Sequence, residues 1–281
     1  MSVMKKLREY LNRPLSFAVF LLIIISTVIT ALTVVFIIGY IFIKGVPNLS
    51  LDLFSLKYSS SNQSMLPSII NTVYLTALTL LLSVPIGIFS AIYLAEYSRK
   101  NSFFVKIINI ANETLSGIPS IVYGLFGFLA FVISKKWGYS LLAGVITLAI
   151  MVLPLIIRTS QEAMLGVDNT FREASYGLGA GKLRTVFKIV LPSAMPGILS
   201  GIILAIGRIV GETAALIYTA GTVPEAATKL TSSSRTISVH LYCLLNEGLY
   251  TKQAYATAVV LIVFVVIINA LSNALAKKIM K

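Results

Sequence analysis

The chain has 281 residues, of which 57% are hydrophobic and only 12% charged, with a net charge of +13. Its mean hydropathy is +0.90, and apolar runs longer than about 18 residues recur, as in a polytopic membrane protein rather than a single soluble core. One cysteine, Cys243, and one histidine, His240, exclude a disulfide framework and leave too few ligands for a protein-only zinc site. The basic residues sit in short clusters between apolar runs, which is the pattern of loops held on one side of a bilayer and not of a nucleic-acid surface.

Residues 1–14 carry Lys5, Lys6, Arg8 and Arg13 ahead of an apolar run over 15–43. That run exceeds a signal-peptide core of about 7–15 residues and lacks a small-residue cleavage site close behind it, so it predicts an uncleaved first span with the N-terminus inside. Residues 44–65 are polar and serine-rich, an outside loop. In the second span, 66–94, Ser83, Gly87 and Ala91 recur every four residues and favour close helix approach, while Pro85 predicts a kink. An inside loop follows with Arg99, Lys100 and Lys106. The third span falls within 107–133 and is interrupted by Gly117-Ile118-Pro119. Trp137 and Tyr139 then anchor an outside turn.

The fourth span is 141–157. The fifth is expected from about Pro196 to Ala220, with Gly197/Gly201 and Gly207/Gly211 in Gly-x-x-x-Gly spacing. Residues 221–252 form the longest outside segment. Within it Ile237, Leu241, Leu244 and Leu245 predict a short amphipathic helix ending at Gly248. The sixth span, 253–276, precedes Lys277, Lys278 and Lys281. On this assignment inside segments carry fifteen Lys or Arg and outside segments seven, with Arg208 within the membrane; the asymmetry puts both termini inside. The expected organisation is an N-terminal segment, first helix and outside loop over 1–65, then a five-helix core over 66–276 that contains a polar loop at 158–195.

That loop is the one polar, structured island. Residues 172–178 read as a short helix with an acid in its first turn. Gly179 and Gly181 supply a sharp turn. Residues 182–190 resume helix, with Leu183, Val186, Phe187 and Val190 on one apolar face, and Pro192 is expected to stop it. The product is a basic helix–turn–helix knuckle at the membrane surface. Its run Gly177-Leu178-Gly179-Ala180-Gly181-Lys182 fails as a phosphate-binding loop, because the position needing glycine is Tyr176, the position needing Ser or Thr is Leu183, and no strand precedes it. The chain does not hydrolyse ATP by this route.

Three charges near the membrane interior invite attention. Arg208 lies about 18 Å from Pro196 at helical rise, near mid-membrane, where an arginine costs about 2.5–3.5 kcal/mol and so faces a cavity or a partner. Glu212, one turn on, can pair with it. Two readings stand: a self-neutralised structural pair, or an anion site in which the planar guanidinium binds a tetrahedral oxyanion and Glu212 orients it or accepts a proton. Glu113 is either an interfacial acid capping the third helix or a pathway residue about 9 Å into the membrane.

The order Glu173-Ala174-Ser175, three residues, Gly179, nine residues, Ile189-Val190-Leu191-Pro192 resembles the EAA loop of importer permeases of the ATP-binding-cassette transporter family. Ser175 stands where the pattern has its second alanine. The resemblance implies an all-α integral membrane fold of six transmembrane helices with type I importer architecture. It also implies that Arg172, Glu173, Ala174, Ser175, Gly179, Leu191 and Pro192 couple the chain to a separate ATPase. The segments 91–97, 116–124, 207–221 and 235–248 look like the inorganic-phosphate branch, in its A-type subunit. That likeness implies a substrate pathway through Arg208, Glu212 and Glu113, and a homologous C-type permease beside the chain. It further implies two ATP-binding subunits inside, a phosphate-binding protein outside, no cofactor on this chain, and ATP with magnesium on the partners. The alternatives are the C-type role, another oxyanion, an ion-coupled secondary transporter or channel, and a membrane enzyme.

Overall fold

The fold is described by a computed structural model covering residues 14–98 and 102–279. The basic residues expected at 5–13, at 99–100 and at Lys281 lie outside the described residues. Every regular element among the described residues is helical. Five helices are long and apolar enough to cross a membrane, or six if one sharply bent pair counts as a span.

Helix α1, Pro14–Gly45, packs chiefly along the last helix, α11, Thr251–Ile279. None of its most apolar window is buried, so nearly its whole girth faces outward. Helix α2, Leu66–Ile92, continues through a widened turn, Tyr93–Tyr97, as one 32-residue rod. Pro85 lies inside it without ending it. Its small residues work as expected. Ser83, Gly87 and Ala91 are all buried, and a side chain at Gly87 would stand 2.6 Å from the Ile156 methyl.

Ile156 belongs to α5, Leu141–Leu165, the most enclosed of the spans, with 61% of its apolar window buried. The main core gathers around it: Leu75 from α2, Leu148, Met151, Val152 and Ile156 from α5, and Ile209 and Leu216 from the chain beyond. Before α5, the expected third span is two helices, α3 (Phe103–Gly117) and α4 (Ser120–Gly127, prolonged by wide turns to Ser134), bent by 101°. Pro119 is the cause. It pushes Ile118 out of the helical region to ψ 131°, and Pro119 itself is extended at ψ 140°.

The fifth span departs most from expectation. Pro192 does not stop the knuckle's second helix. Helix α7, Lys182–Thr185, a wide turn, Val186–Val190, and α8, Leu191–Val210, form one 29-residue rod. Proline lacks an N–H and its ring crowds the carbonyl four residues back. The wider turn immediately before α8 opens the ladder there, and the helix passes through. The rod then ends at Gly211, not near Ala220, and a separate short helix, α9, Ala214–Thr219, follows the break. Helix α9 packs on α4 at a backbone approach that only glycine permits: a Cβ on Gly124 would meet Ala215 Cα at 2.8 Å. Gly197 and Gly201 are close-packed against Ala163 and Thr159, whereas Gly207 has no neighbour within 4 Å and Gly211 only its own helix. The second glycine pair therefore leaves an open flank instead of a helix contact. Helix α10, Ile237–Glu247, ends as expected at Gly248, with φ +71°.

Candidate functional site

Two places carry the residues singled out above, and the Lys182–Val210 rod joins them. The first is the knuckle. Its first helix, α6, Asn169–Gly177, starts at Asp168, whose carboxylate caps the helix by accepting from the Thr170 N–H and hydroxyl, both at 2.9 Å. These bonds hold the Asp168 carboxyl below its ordinary value. Gly179 has φ +81°, the left-handed conformation the turn requires. Gly181, at φ −76°, does not need to be glycine for that reason.

Within α6 the residues expected to couple to an ATPase divide by direction. Glu173 and Ala174 are exposed, beside exposed Phe171 and Leu178, the latter 90% accessible. Ser175 is buried, and its hydroxyl bonds that of Thr185 at 2.8 Å. The departure from the EAA pattern thus ties the two knuckle helices together. The expected apolar face splits: Val186 and Val190 are fully buried, but Leu183 and Phe187 are exposed. Leu191 packs against a second core cluster that includes Ile92, Met164 and Ala194, while Pro192 is exposed. A cleft of about 390 Å³ opens between the helices, lined by Phe171, Ala174, Leu178, Arg184 and their neighbours.

Arg172, expected like Glu173 to couple the chain to an ATPase, is half-buried. Its side chain turns inward, toward the end of the α2 rod and the end of α5. Its guanidinium bonds Glu96 Oε1 at 2.6 and 3.1 Å and the carbonyls of Met164 and Val167 at 2.9 and 2.7 Å. Glu96, quoted only as part of the 91–97 likeness, and Thr185 are interacting residues to which sequence reasoning gave no role. Glu96 stands at the end of an apolar run, a weak signal for a partner 76 positions away.

The second place is the break after the rod. Arg208 is half-buried, in the last turn of α8, about 39 Å along the helix from Lys182. It forms no ion pair among the described residues, where the ion pairs are Arg158–Glu162 and Arg172–Glu96. The expected pairing with Glu212 fails for a geometric reason. The helix ends at Gly211, so Glu212 is no longer one helical turn on. Its buried side chain accepts from the Ala215 N–H at 3.0 Å, at the start of α9, and its carbonyl accepts from the Ser238 hydroxyl at 2.6 Å. Arg208 is thus a cation without an ion pair among the described residues, next in sequence to the open Gly207 and within electrostatic reach of Tyr123 on α4. Glu113 is exposed on α3 and sits within reach of Arg158; no hydrogen bond or ion pair joins it to Arg208 or Glu212.

Comparison with known proteins follows the same lines. The chain is 32% identical over 249 residues to the probable ABC transporter permease protein YqgI of Bacillus subtilis, covering 82% of this chain and 84% of that one. It is 36% identical over 198 residues to the phosphate transport system permease protein PstA of Haemophilus influenzae, with 70% of each chain covered. Against PstA of Yersinia pestis it is 33% identical, covering 84% and 81%. Among solved structures, a chain of a bacterial ABC transporter involved in the import of the polysaccharide alginate superposes with TM-score 0.67 over 99% of this chain and all of that one, at 18% identity. A chain of the MetNI methionine ABC transporter superposes with TM-score 0.58 over 76% of this chain and 94% of that one, at 16% identity. At such identities the likeness speaks to fold, and the fold is that of an ABC importer permease. The sequence pattern of the binding-protein-dependent transport system inner membrane component matches residues 83–281, and the chain belongs to that family.

Proposed function

We propose that this chain is a transmembrane permease subunit of an ATP-driven importer of inorganic phosphate. It contributes half of the translocation pathway, together with a homologous permease of the C type. Two ATP-binding subunits dock on the knuckle side and carry ATP and magnesium. A soluble phosphate-binding protein delivers substrate at the opposite face. Both termini lie on the knuckle side, in the plasma membrane, and the five-helix core over 66–276 does the work, with α1 appended.

The observation that carries the reading is the unbroken rod from Lys182 to Val210. It starts in the EAA-like knuckle and ends two residues beyond Arg208, so displacement at the docking surface moves Arg208 directly. The relatives named for phosphate transport supply the substrate. A guanidinium without an ion pair among the described residues suits a tetrahedral oxyanion because its planar donors match an oxygen edge.

The test is labelled-phosphate uptake, normalised to assembled complex in membranes. Arg208→Lys keeps the charge and loses the fork, so uptake is expected to fall while ATPase co-purification persists. Arg208→Gln combined with Glu212→Gln is expected to accumulate, bind the ATPase and still fail to import. Wild-type uptake by the double variant would remove Arg208 from the pathway. Uptake that needs no ATP would favour an ion-coupled carrier.

A further inference from the structure

Arg172 offers five N–H donors, and all five are directed at partners: Nε and Nη2 at Glu96, Nη1 at the Val167 carbonyl and at Asn169 Oδ1, and Nη2 also at the Met164 carbonyl. These partners belong to three elements. Glu96 ends the α2 rod, Met164 and Val167 lie at the end of α5, and Asn169 opens α6 itself. The pair is enclosed, with side-chain exposures of 13% for Arg172 and 6% for Glu96. The neighbouring Glu173, by contrast, is exposed and makes none of these contacts.

We propose that Arg172 and Glu96 form the strut that transmits motion of the docking helix α6 to α2 and α5, making Arg172 a positioning residue rather than a contact for the ATPase. Three elements meet at one guanidinium, so α6 cannot shift without drawing both long helices with it. The Ser175–Thr185 bond ties α6 to the α7–α8 rod. The strut ties it to the other half of the bundle. A push on α6 therefore reaches Arg208 on one side and the α2–α5 core on the other. A planar, charged fork can hold a carboxylate and two carbonyls at once; a lysine ammonium, as a compact point charge, cannot hold all of them in fixed geometry.

This inference rests on the proposed transport function, and its test separates the two. The complete transporter, with both permeases, the ATPase and the binding protein, is reconstituted in vesicles, and ATP hydrolysed per inorganic phosphate imported is measured. Arg172→Gln with Glu96→Gln removes both charges and leaves no ion stranded. This variant is expected to assemble and hydrolyse ATP while the ratio rises about tenfold, in the range that loss of coupling between two sites produces. Arg172→Lys, which keeps the ion pair, is expected to fall between that variant and wild type. A wild-type ratio in the double variant would reduce the pair to a stability element and overturn the proposal. If the double variant does not assemble, Arg172→Lys decides on the same ratio: unchanged overturns the strut, raised supports it. Absence of ATP-dependent phosphate uptake by the wild-type complex would overturn the transport reading itself, and the strut with it.

Discussion

The two ends of helix α2 hold their neighbours by different chemistry. At its start, Asn71 staples the segment before α10: its amide donates to the carbonyls of Glu225 and Arg235 at 2.9 and 3.2 Å and accepts from the Ala227 N–H at 2.8 Å. Thr72 beside it accepts from the Ile237 N–H at 2.9 Å. At the other end Glu96 holds the knuckle through the Arg172 guanidinium. The neutral staple satisfies buried backbone groups without desolvating a charge. The ionic strut costs desolvation but is stronger and more directional. The strut stands where the chain meets the knuckle, and the staple where a long loop needs only to be fixed.

A charge is buried near the staple as well, and it is treated differently. Arg235 is 4% exposed, its Nε and Nη2 have no hydrogen-bond partner, and its guanidinium lies 4.7 Å from the centre of the Tyr58 ring. Among the described residues it has an aromatic face beside it and no ion pair. His240 is fully buried close by, edge-on to the same ring at 6.4 Å. Burial and the Arg235 charge push its pKa down to about 3, against a smaller opposing effect of the Gln63 carbonyl.

The comparison can be broken in several ways, taken here from the largest expected effect. Glu96→Gln alone strands the Arg172 charge in an enclosed site, and a loss of about 3–5 kcal/mol is expected. Thermal unfolding in detergent measures it, and adding Arg172→Gln should recover most of the loss. Asn71→Leu strands one N–H and two carbonyls. About 2–3 kcal/mol is expected, smaller than for Glu96→Gln because no charge is left unpaired. A larger loss for Asn71→Leu would reverse the ranking of staple and strut.

His240 provides the pH arm. Its folded pKa lies below its unfolded value of 6.5, so the unfolded chain binds the extra proton. Stability is therefore full above about pH 6.5 and declines as pH falls toward about 3. Melting temperatures of His240→Leu should lose that acid slope, since leucine carries no group that titrates. An unchanged slope would assign acid sensitivity elsewhere. The smallest effect is expected for Ser175→Ala, about 1 kcal/mol, because Thr185 keeps its bond to the Gly181 carbonyl. Protease accessibility of the 178–182 turn should rise only slightly.

Much of this was legible without coordinates. Apolar runs and basic clusters marked the spans, because burial in a bilayer is a property of consecutive residues. The EAA-like order located the knuckle, and Gly179 its turn, because a left-handed backbone selects for glycine locally. Small residues at Ser83, Gly87, Ala91, Gly197 and Gly201 marked real helix contacts, since spacing by four sets one face of a helix.

The tertiary structure decided what local rules leave open. Pro192 reads as a stop, yet the wide turn at Val186–Val190 carries the helix past it, and only packing chooses between those outcomes. Gly211 reads as a packing glycine and proves to be a break, which parts Glu212 from Arg208 despite helical spacing in the sequence. Arg172 reads as a residue of the coupling motif, and its bond to Glu96 appears only in the tertiary structure, because that partner is 76 positions away and no periodicity connects them. Sequence pattern determines which face a residue occupies on its own helix; what stands opposite that face is settled by contacts between distant segments.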